Sequence, residues 1–293
     1  MKKTALFLIA AAAFATLSAA QPRIDAKEKK LDDGRTTYTK NIYLNEGSLQ
    51  LVYTTKDGVT MDRKKYGESF FGFINGGLPK TNGSWSPWDF FRCFEYKNGV
   101  HNVFQTRVPK SVELKQVKGV AILDLVYPGY YTGEVKVRMM QFPDQPGWTF
   151  IRIAISGFEP WRIDFVAYPH TTNLPKERKR YIGYPQKSVE ITQTNQRHNF
   201  VPEDPFIALY NGVVQEEAGN FFVFEPEKVK NIEGVTYGAG SEIRMTVQKG
   251  VTVFHYALGS FKNKSPKEAL NSFYNEEGDK VNKFMENINW DLK

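Results

Sequence analysis

The chain has 293 residues, with 39 lysines and arginines against 32 aspartates and glutamates, and a formal charge of +7. This positive excess is mild and no sustained basic stripe carries the aromatic residues, which argues against nucleic-acid binding. The single cysteine excludes an intramolecular disulfide, so the core must stabilise the fold.

The first twenty residues have the pattern of a secretory signal peptide. Lys2 and Lys3 precede an apolar run from Ala5 to Ala15, and Ser18 and Ala20 stand at the spacing that signal peptidase recognises. The apolar run is shorter than the ~20 residues that a membrane-spanning helix needs. We therefore predict cleavage after Ala20, no membrane span, and a destination in the periplasm or the medium.

A long succession of short strands follows a polar leader at residues 21–40. Val135, Val137 and Met139 alternate with charged neighbours, which is the period-2 pattern of a strand with one apolar face. Similar alternation, apolar runs and turn signals predict the other strands at 49–53, 69–74, 89–96, 100–108, 117–127, 188–193, 206–210, 221–225, 242–247 and 251–258.

The segment from Trp148 to Thr172 carries the strongest strand pattern of the chain. Isoleucines at 151, 153 and 155 share one face of a first strand, and Trp161, Ile163 and Phe165 share one face of a second. Gly157 lies in the break between them. Because aromatic residues occupy both faces, we predict a hairpin in the middle of a large sheet system.

The end of the chain changes from strand to helix. Ser265 and Glu268 form a capping box around a proline at the first helical position. Gly278 is a candidate break between two shorter helices. The predicted apolar stripe of this helix comprises Leu270, Phe273, Tyr274, Val281, Phe284, Met285 and Ile288. We expect residues 264–293 to form an amphipathic helical segment on the outside of a β-sandwich domain at 41–263.

More than a dozen strands without a linker favour an all-β fold, a large antiparallel two-sheet β-sandwich with a C-terminal amphipathic helix. In size and strand number the chain resembles the galactose-mutarotase-like supersandwich, which is common among secreted carbohydrate-active proteins. The resemblance is architectural and covers about residues 40–290. It implies a carbohydrate ligand, although the catalytic histidines and glutamate of the mutarotases match no positions here.

A first candidate site follows the glycine-rich loop at residues 75–84. This loop ends in Trp85 and Trp88, and its polar neighbours are Asn82, Asp89 and Arg92. Indole faces stack on the CH groups of a sugar ring, while amide and charged groups bond its hydroxyls. The alternative interpretation is that both tryptophans fill the end of the sandwich core.

A second candidate site lies where the strand ending at Tyr168 meets a long cationic loop. His170 could act as a general acid or base there, Tyr168 could deliver a proton, and Arg178 and Arg180 could neutralise a carboxylate. This set suits β-elimination of an acidic glycan. The alternative is a solvated cationic loop beside a structural histidine.

His198 belongs to a third cluster, in the loop at residues 194–204. If this loop and the one after Pro169 cover the same end of the sandwich, His198 would join His170 and Tyr168. His255 alternates with valines and is predicted to lie in the core or on a sheet face. The histidines lack metal-ligand spacing and the chain lacks a phosphate-binding loop, so we predict neither a metal nor a cofactor.

These features support one leading hypothesis and two alternatives. The leading hypothesis is a secreted protein that recognises a polysaccharide or an oligosaccharide through aromatic side chains. One alternative is a carbohydrate-active enzyme, such as a lyase acting on an anionic polysaccharide. The other is an envelope-associated structural or interaction protein. The sequence leaves open whether any bond is broken.

Overall fold

The computed structural model confirms an all-β fold built from two large antiparallel sheets and a C-terminal helix. The predicted signal peptide at 1–20 lies outside the described residues. The structure describes residues 21–45, 48–56, 59–60, 73–75, 85–97, 100–103, 109–129, 131–169, 180–184, 187–191, 197–211, 220–237, 240–260 and 266–293.

Sheet A contains the strands of the N-terminal part of the chain and several later ones. Its described strands run in the order β1-β2-β3-β5-β6-β12-β19-β18-β15, with β4 paired to β3 and β7 paired to β6. Their bounds are β1 Arg23–Lys30, β2 Arg35–Tyr43, β3 Ser48–Lys56, β4 Val59–Thr60, β5 Phe73–Asn75, β6 Trp85–Lys97, β7 Val100–Val103, β12 Pro160–Pro169, β15 Arg197–Phe200, β18 Val229–Tyr237 and β19 Gly240–Val247.

Sheet B faces sheet A across the main core. Its described strands run in the order β14-β13-β16-β17-β20-β11-β10-β9-β8. Their bounds are β8 Ser111–Val117, β9 Val120–Pro128, β10 Glu134–Gln141, β11 Trp148–Ser156, β13 Arg180–Tyr184, β14 Lys187–Ile191, β16 Phe206–Asn211, β17 Asn220–Phe224 and β20 Val253–Ser260.

The main core forms because alternate residues of each sheet face the other sheet. Ile151 and Ile153 of sheet B and Ile243 of sheet A are 0% exposed within one apolar cluster. The opposite face of β11 is also buried, since Trp148 and Phe150 pack under the C-terminal helix. Both faces of β11 are therefore covered.

The predicted hairpin between Trp148 and Tyr168 is wrong, although its two strands exist. β11 pairs with β10 and β20 in sheet B, whereas β12 pairs with β6 and β19 in sheet A. The chain crosses between the sheets near Gly157, whose φ of 82° suits glycine. β19 and β20 form a second crossing beside the first, where Ile155 N donates to Thr252 O at 2.8 Å.

Within the described residues, six strands lie where the sequence predicted none. They are β1 and β2 within and after the polar leader, together with β4, β13, β15 and β18. β1 escapes a pattern search because nearly all of its residues are exposed, so no apolar face alternates along it. β8 was also largely missed, because the predicted strand at 117–127 begins at its last residue, Val117. The rest of that range crosses a tight turn at Lys118 (φ 50°) and Gly119 (φ 82°) and then follows β9.

The C-terminal helix packs its predicted apolar stripe on the outer face of sheet B. It runs through Pro266–Ser272, a π-helical turn at Phe273–Glu277, and Gly278–Glu286. Gly278 does not break it, because its φ of −59° and ψ of −45° are helical. Of the predicted capping box, Ser265 lies outside the described residues.

The aromatic contact under this helix centres on a glycine. Gly259 of β20 pairs with Trp148 on one side and Phe221 on the other. The rings of Trp148 and Phe221 stack across it, with centroids 6.4 Å apart, and Phe273 stacks on Phe221 at 4.2 Å. A Cβ at Gly259 would lie 2.7 Å from the indole, so only glycine leaves room for this stack.

Candidate functional site

An open cleft of about 520 Å³ lies between the C-terminal helix and the outer face of sheet B. Its volume is within the ~300–1,000 Å³ typical of small-ligand sites. Strand β20 supplies His255, the segment after β17 supplies Glu225 and Glu227, the helix supplies Asn282 and Glu286, and the C-terminal tail supplies Trp290.

His255 reaches the cleft because of its position on β20. Phe254 and Tyr256 on either side of it point into the main core, so His255 points away from that core. Glu225 holds it at two points: the His255 backbone N–H donates to Oε2 at 2.8 Å, and Nδ1 lies 3.1 Å from Oε1. With Nδ1 carrying the proton toward Glu225, Nε2 is the nitrogen left to act as an acceptor.

The environment of Glu225 keeps it ionised. Burial would raise the pKa of this carboxyl, but hydrogen bonds from His255 and Lys228 outweigh burial and lower the pKa below its usual value. Lys228 Nζ lies 2.7 Å from Oε2. Glu225 is thus a fixed negative partner that orients the imidazole, which is the relation between base and orienting group in many active sites.

The C-terminal tail places an indole against the histidine. The ring centroids of His255 and Trp290 lie 4.8 Å apart, and the angle between the two ring planes is 33°. Arg138 of β10 fixes this tail, since Nη1 donates to Trp290 O at 2.6 Å and to Leu292 O at 3.2 Å. Arg152 of β11 adds an ion pair with Asp291 at 3.3 Å.

The helical wall of the cleft adds hydrogen-bonding groups to this aromatic wall. Asn282 Nδ2 donates to Glu286 Oε1 at 2.9 Å, which leaves the amide oxygen and the second carboxylate oxygen for other partners. Glu227, in the 3₁₀ turn Pro226–Lys228, also lines the cleft. The cleft therefore combines an indole, an imidazole, an amide and carboxylates.

A separate ionic cluster lies on the face of sheet A that points away from the core. Asp164 of β12 pairs across the strands with Arg244 of β19, and it is 0% exposed. Arg162 Nε lies 2.6 Å from Asp164 Oδ1. Arg244 contacts Glu242 at 3.1 Å and Glu233 of β18 at 3.2 Å. Arg197 of β15 also contacts Glu233, at 3.4 Å, so the cluster includes side chains from four strands.

Burial and a neighbouring carboxyl favour the protonated form of Asp164 in this cluster. Burial, together with the hydrogen bond and the charge of Glu242, raises the pKa of Asp164 well above its usual value, and the opposing effect of Arg162 is smaller. Two carboxyls in contact rarely ionise together in a buried site. Because neither Asp164 nor Glu242 is accessible, we regard this cluster as structural support for sheet A.

We predict that Asp164→Asn flattens the pH dependence of stability. The pKa of Asp164 is raised on folding, so the stabilisation from its protonated form is complete below the unfolded value of about 4 and is lost as pH rises through the folded value. The amide cannot ionise, so unfolding by urea between pH 4 and 8 should show a smaller decline than in the wild type. Asp144→Asn, at an exposed turn, is the control; parallel curves for the wild type and Asp164→Asn would contradict the prediction.

The sequence-predicted residues Trp85, Trp88, Asp89 and Arg92 all lie in strand β6. The tryptophans are therefore in a strand rather than at the end of a loop, whereas Asp89 and Arg92 lie in the strand predicted at 89–96. β6 contains Pro87 between the tryptophans, next to an irregularity in the pairing with β12, which is where sheets tolerate proline. Arg92 lies across from Asp164, and Trp88 lies two residues of β12 further on, across from Val166.

The other predicted site residues do not meet in one place. Tyr168 is on β12 in sheet A, whereas Arg180 begins β13 in sheet B. His198, on β15, lies on the same face as the core residue Phe200, and thus on the opposite face from Asp164. His170, Asn82 and Arg178 lie outside the described residues, so the convergence of the three predicted loops stays a prediction.

Sequence reasoning missed the cleft because its parts are remote from one another along the chain. The alternation around His255 predicted either the core or a sheet face, and the structure places it on the outer face of sheet B. Nothing in the sequence links it to Glu225 or Trp290. Within the described ranges, no group of histidine, cysteine, aspartate and glutamate side chains is arranged to hold a metal. In the same ranges no helix is long and apolar enough to cross a bilayer.

No protein-family model matches the sequence, and no curated protein matches it. Among solved structures, the fold is similar to the quadruple mutant of alpha-N-acetylgalactosaminidase NagBb from Bifidobacterium bifidum, with 9% identity over 86% of this chain and a TM-score of 0.49. The GalNAc complex of the same enzyme gives 10% identity, 86% coverage and a TM-score of 0.47.

A TPR-domain containing protein from Parabacteroides distasonis is also similar, with 6% identity over 81% of this chain and a TM-score of 0.42. The chain covers 39% of both NagBb chains and 53% of the TPR-domain chain. It therefore spans well under two thirds of each. None of these structures assigns an activity to this chain.

Proposed function

We propose that the protein is an exported carbohydrate-binding β-sandwich and that it binds its ligand in the cleft between sheet B and the C-terminal helix. The observation that carries this proposal is the composition of the cleft wall. Trp290 offers an indole beside the amide of Asn282 and the carboxylates of Glu227 and Glu286. Sugars need both kinds of group, because they present CH faces and hydroxyls together.

The anchoring of this wall supports a binding role. Arg138 holds the main chain of Trp290, and Glu225 holds His255 behind it. A platform that is fixed before the ligand arrives loses less conformational entropy on binding. The cleft is also open on one side, which suits the end of an oligosaccharide or one sugar of a longer polymer.

Trp290→Ala should weaken binding of the recognised glycan by about tenfold or more, because stacking on the indole is lost. Binding is measured on a panel of immobilised and free oligosaccharides, with the melting temperature of each variant as a check on folding. Trp290→Phe keeps a ring and should retain part of the affinity. Unchanged affinity in a folded Trp290→Ala variant would contradict the proposed site.

The tryptophans of β6 provide the matched comparison. The sequence hypothesis assigns sugar binding to Trp85 and Trp88, and these residues lie in sheet A while the cleft lies on sheet B. In the same panel, a Trp85→Ala/Trp88→Ala variant should bind like the wild type if the cleft is the site. Loss of binding only in that double variant would favour the hypothesis from the sequence.

An enzymatic function is the second candidate, and the contact between Glu225 and His255 favours it. An imidazole oriented by a carboxylate can accept a proton from water or from a sugar hydroxyl. The same glycan panel is therefore assayed for new reducing ends and for the absorbance of unsaturated products. Activity that is lost in His255→Ala would make the cleft catalytic, whereas activity lost only in His170→Ala would assign the chemistry to the end of β12.

A further inference from the structure

The charge of the cleft is opposite to the charge of the whole chain. The sequence carries a formal charge of +7, yet among the residues that the structure describes, no lysine or arginine lines the cleft and three glutamates do. A surface with a local charge of opposite sign can select a ligand that the rest of the molecule would repel. This contrast bears on which sugars the proposed site accepts.

The three glutamates are not equivalent. The negative charge of Glu225 is compensated by its ion pair with Lys228, and its carboxylate also contacts His255. Within the residues that the structure describes, neither Glu227 nor Glu286 forms an ion pair, and both are exposed. Glu286 is held by the neutral amide of Asn282, which fixes its position without cancelling its charge. The uncompensated charge of the cleft therefore comes from these two carboxylates.

We propose that the ligand is a sugar that carries a cationic amine, such as a hexosamine unit with a free amino group. This proposal depends on the proposed carbohydrate-binding function and specifies its ligand. The ammonium group forms charge-assisted hydrogen bonds with Glu227 and Glu286, while the ring packs on Trp290. Burying an uncompensated carboxylate against an acidic sugar costs free energy, so the cleft discriminates against anionic polysaccharides.

The aromatic wall reinforces this selection. The negative face of an indole ring attracts a cation, and the same face also packs against an apolar CH surface. Both features of an amino sugar, the CH face and the ammonium group, thus have partners on the walls of one cleft. A neutral N-acetylated sugar keeps the stacking on Trp290 and loses the contact between its ammonium group and the glutamates. In a uronate, the carboxylate is repelled by the glutamates.

Three oligosaccharides of equal length test this inference on the full-length protein by titration calorimetry: a glucosamine oligomer with free amines, its N-acetylated counterpart and an oligouronate. We expect the free-amine oligomer to bind about tenfold more tightly than the acetylated one, and the oligouronate to bind most weakly. The preference should shrink at high salt, because ionic screening weakens contacts between charges at the surface.

Two variants separate the cleft from general surface attraction. Glu227→Gln/Glu286→Gln should lower affinity for the free-amine oligomer to that of the acetylated one, with little change in binding of the acetylated one. Glu276→Gln is the control, because this exposed glutamate belongs to the helix but pairs with Lys280 and does not line the cleft. It should bind all three oligomers like the wild type.

The outcomes distinguish this inference from the function on which it rests. Equal binding of the free-amine and acetylated oligomers overturns the amine preference and leaves carbohydrate binding in place. A preference that persists in the double glutamine variant assigns it to another surface and also overturns the inference. If no oligosaccharide of the wider panel binds, both the inference and the proposed function fail.

Discussion

Replacing Phe273 with alanine is expected to lower the free energy of unfolding by about 3–5 kcal/mol, the usual cost of removing a buried aromatic ring. Phe273 is 0% exposed and contacts rings on three strands and on its own helix. Its centroid lies 4.2 Å from that of Phe221, 5.4 Å from that of Phe206 and 6.0 Å from that of Trp148.

Urea unfolding at neutral pH measures this effect, and Glu276→Ala on the exposed side of the same helix is the control. The control should change stability by less than about 0.5 kcal/mol. A loss below about 1 kcal/mol for Phe273→Ala would show that the helix contributes little to the packing of sheet B. In that case Phe273, which lies in the π-helical turn, would not anchor the helix on sheet B.

Arg244→Met is expected to destabilise the protein by about 3–5 kcal/mol, since it removes one partner of a buried ionic cluster. Arg244 is the cation that contacts both Glu242 and Glu233 and lies across from Asp164. Without it, the carboxylates remain buried and lose much of their compensation. Methionine fills a similar volume, so the loss reports charge more than packing.

Arg197→Met is the matched control for this cluster. Arg197 contacts the same Glu233, but its side chain is 64% exposed, and exposed pairs contribute only about 0–1 kcal/mol. The deficit of Arg244→Met should also shrink as the pH falls, because protonation of Asp164, whose pKa is raised by burial and by Glu242, leaves less buried charge without a partner. Equal effects of the two substitutions, measured by urea unfolding, would show that burial does not decide the strength of these contacts.

The sequence predicted strands best where one face is apolar and the other is polar. Val135, Val137 and Met139 alternate with charged residues, and all three lie in β10, Glu134–Gln141. The apolar stripe of the C-terminal helix was predicted equally well, for the same reason. β1 was missed because both of its faces are exposed, and β18 was missed because Asn231 and Gly234 interrupt its apolar residues.

Pairing was harder to predict than strand position. Alternation shows which residues share a face, but it does not identify the neighbouring strand. The break at Gly157 therefore looked like a hairpin turn, although the chain crosses there from one sheet to the other. A turn and a crossing need the same kind of residue, and only the partners β6, β19, β10 and β20 distinguish them.

The candidate cleft was invisible for a related reason. Glu225, His255 and Trp290 come from a strand end, a strand and a tail that follows a helix, and each one looks ordinary in its local sequence. Proximity in space arises only after sheet B has assembled and the helix has packed on it. The aromatic residues that did attract attention, Trp85 and Trp88, were conspicuous because they are close together along the chain.

The paired crossings have a consequence for the order of assembly. β19 is the strand that joins β18 and β15 to β12, and β20 is the strand that joins β17 and its neighbours to β11. Until the residues of these two late strands are available, each sheet consists of two parts that are not hydrogen-bonded to each other. Folding must therefore await nearly the whole polypeptide and close long loops at once, so a slow, single cooperative transition is the expected kinetic behaviour.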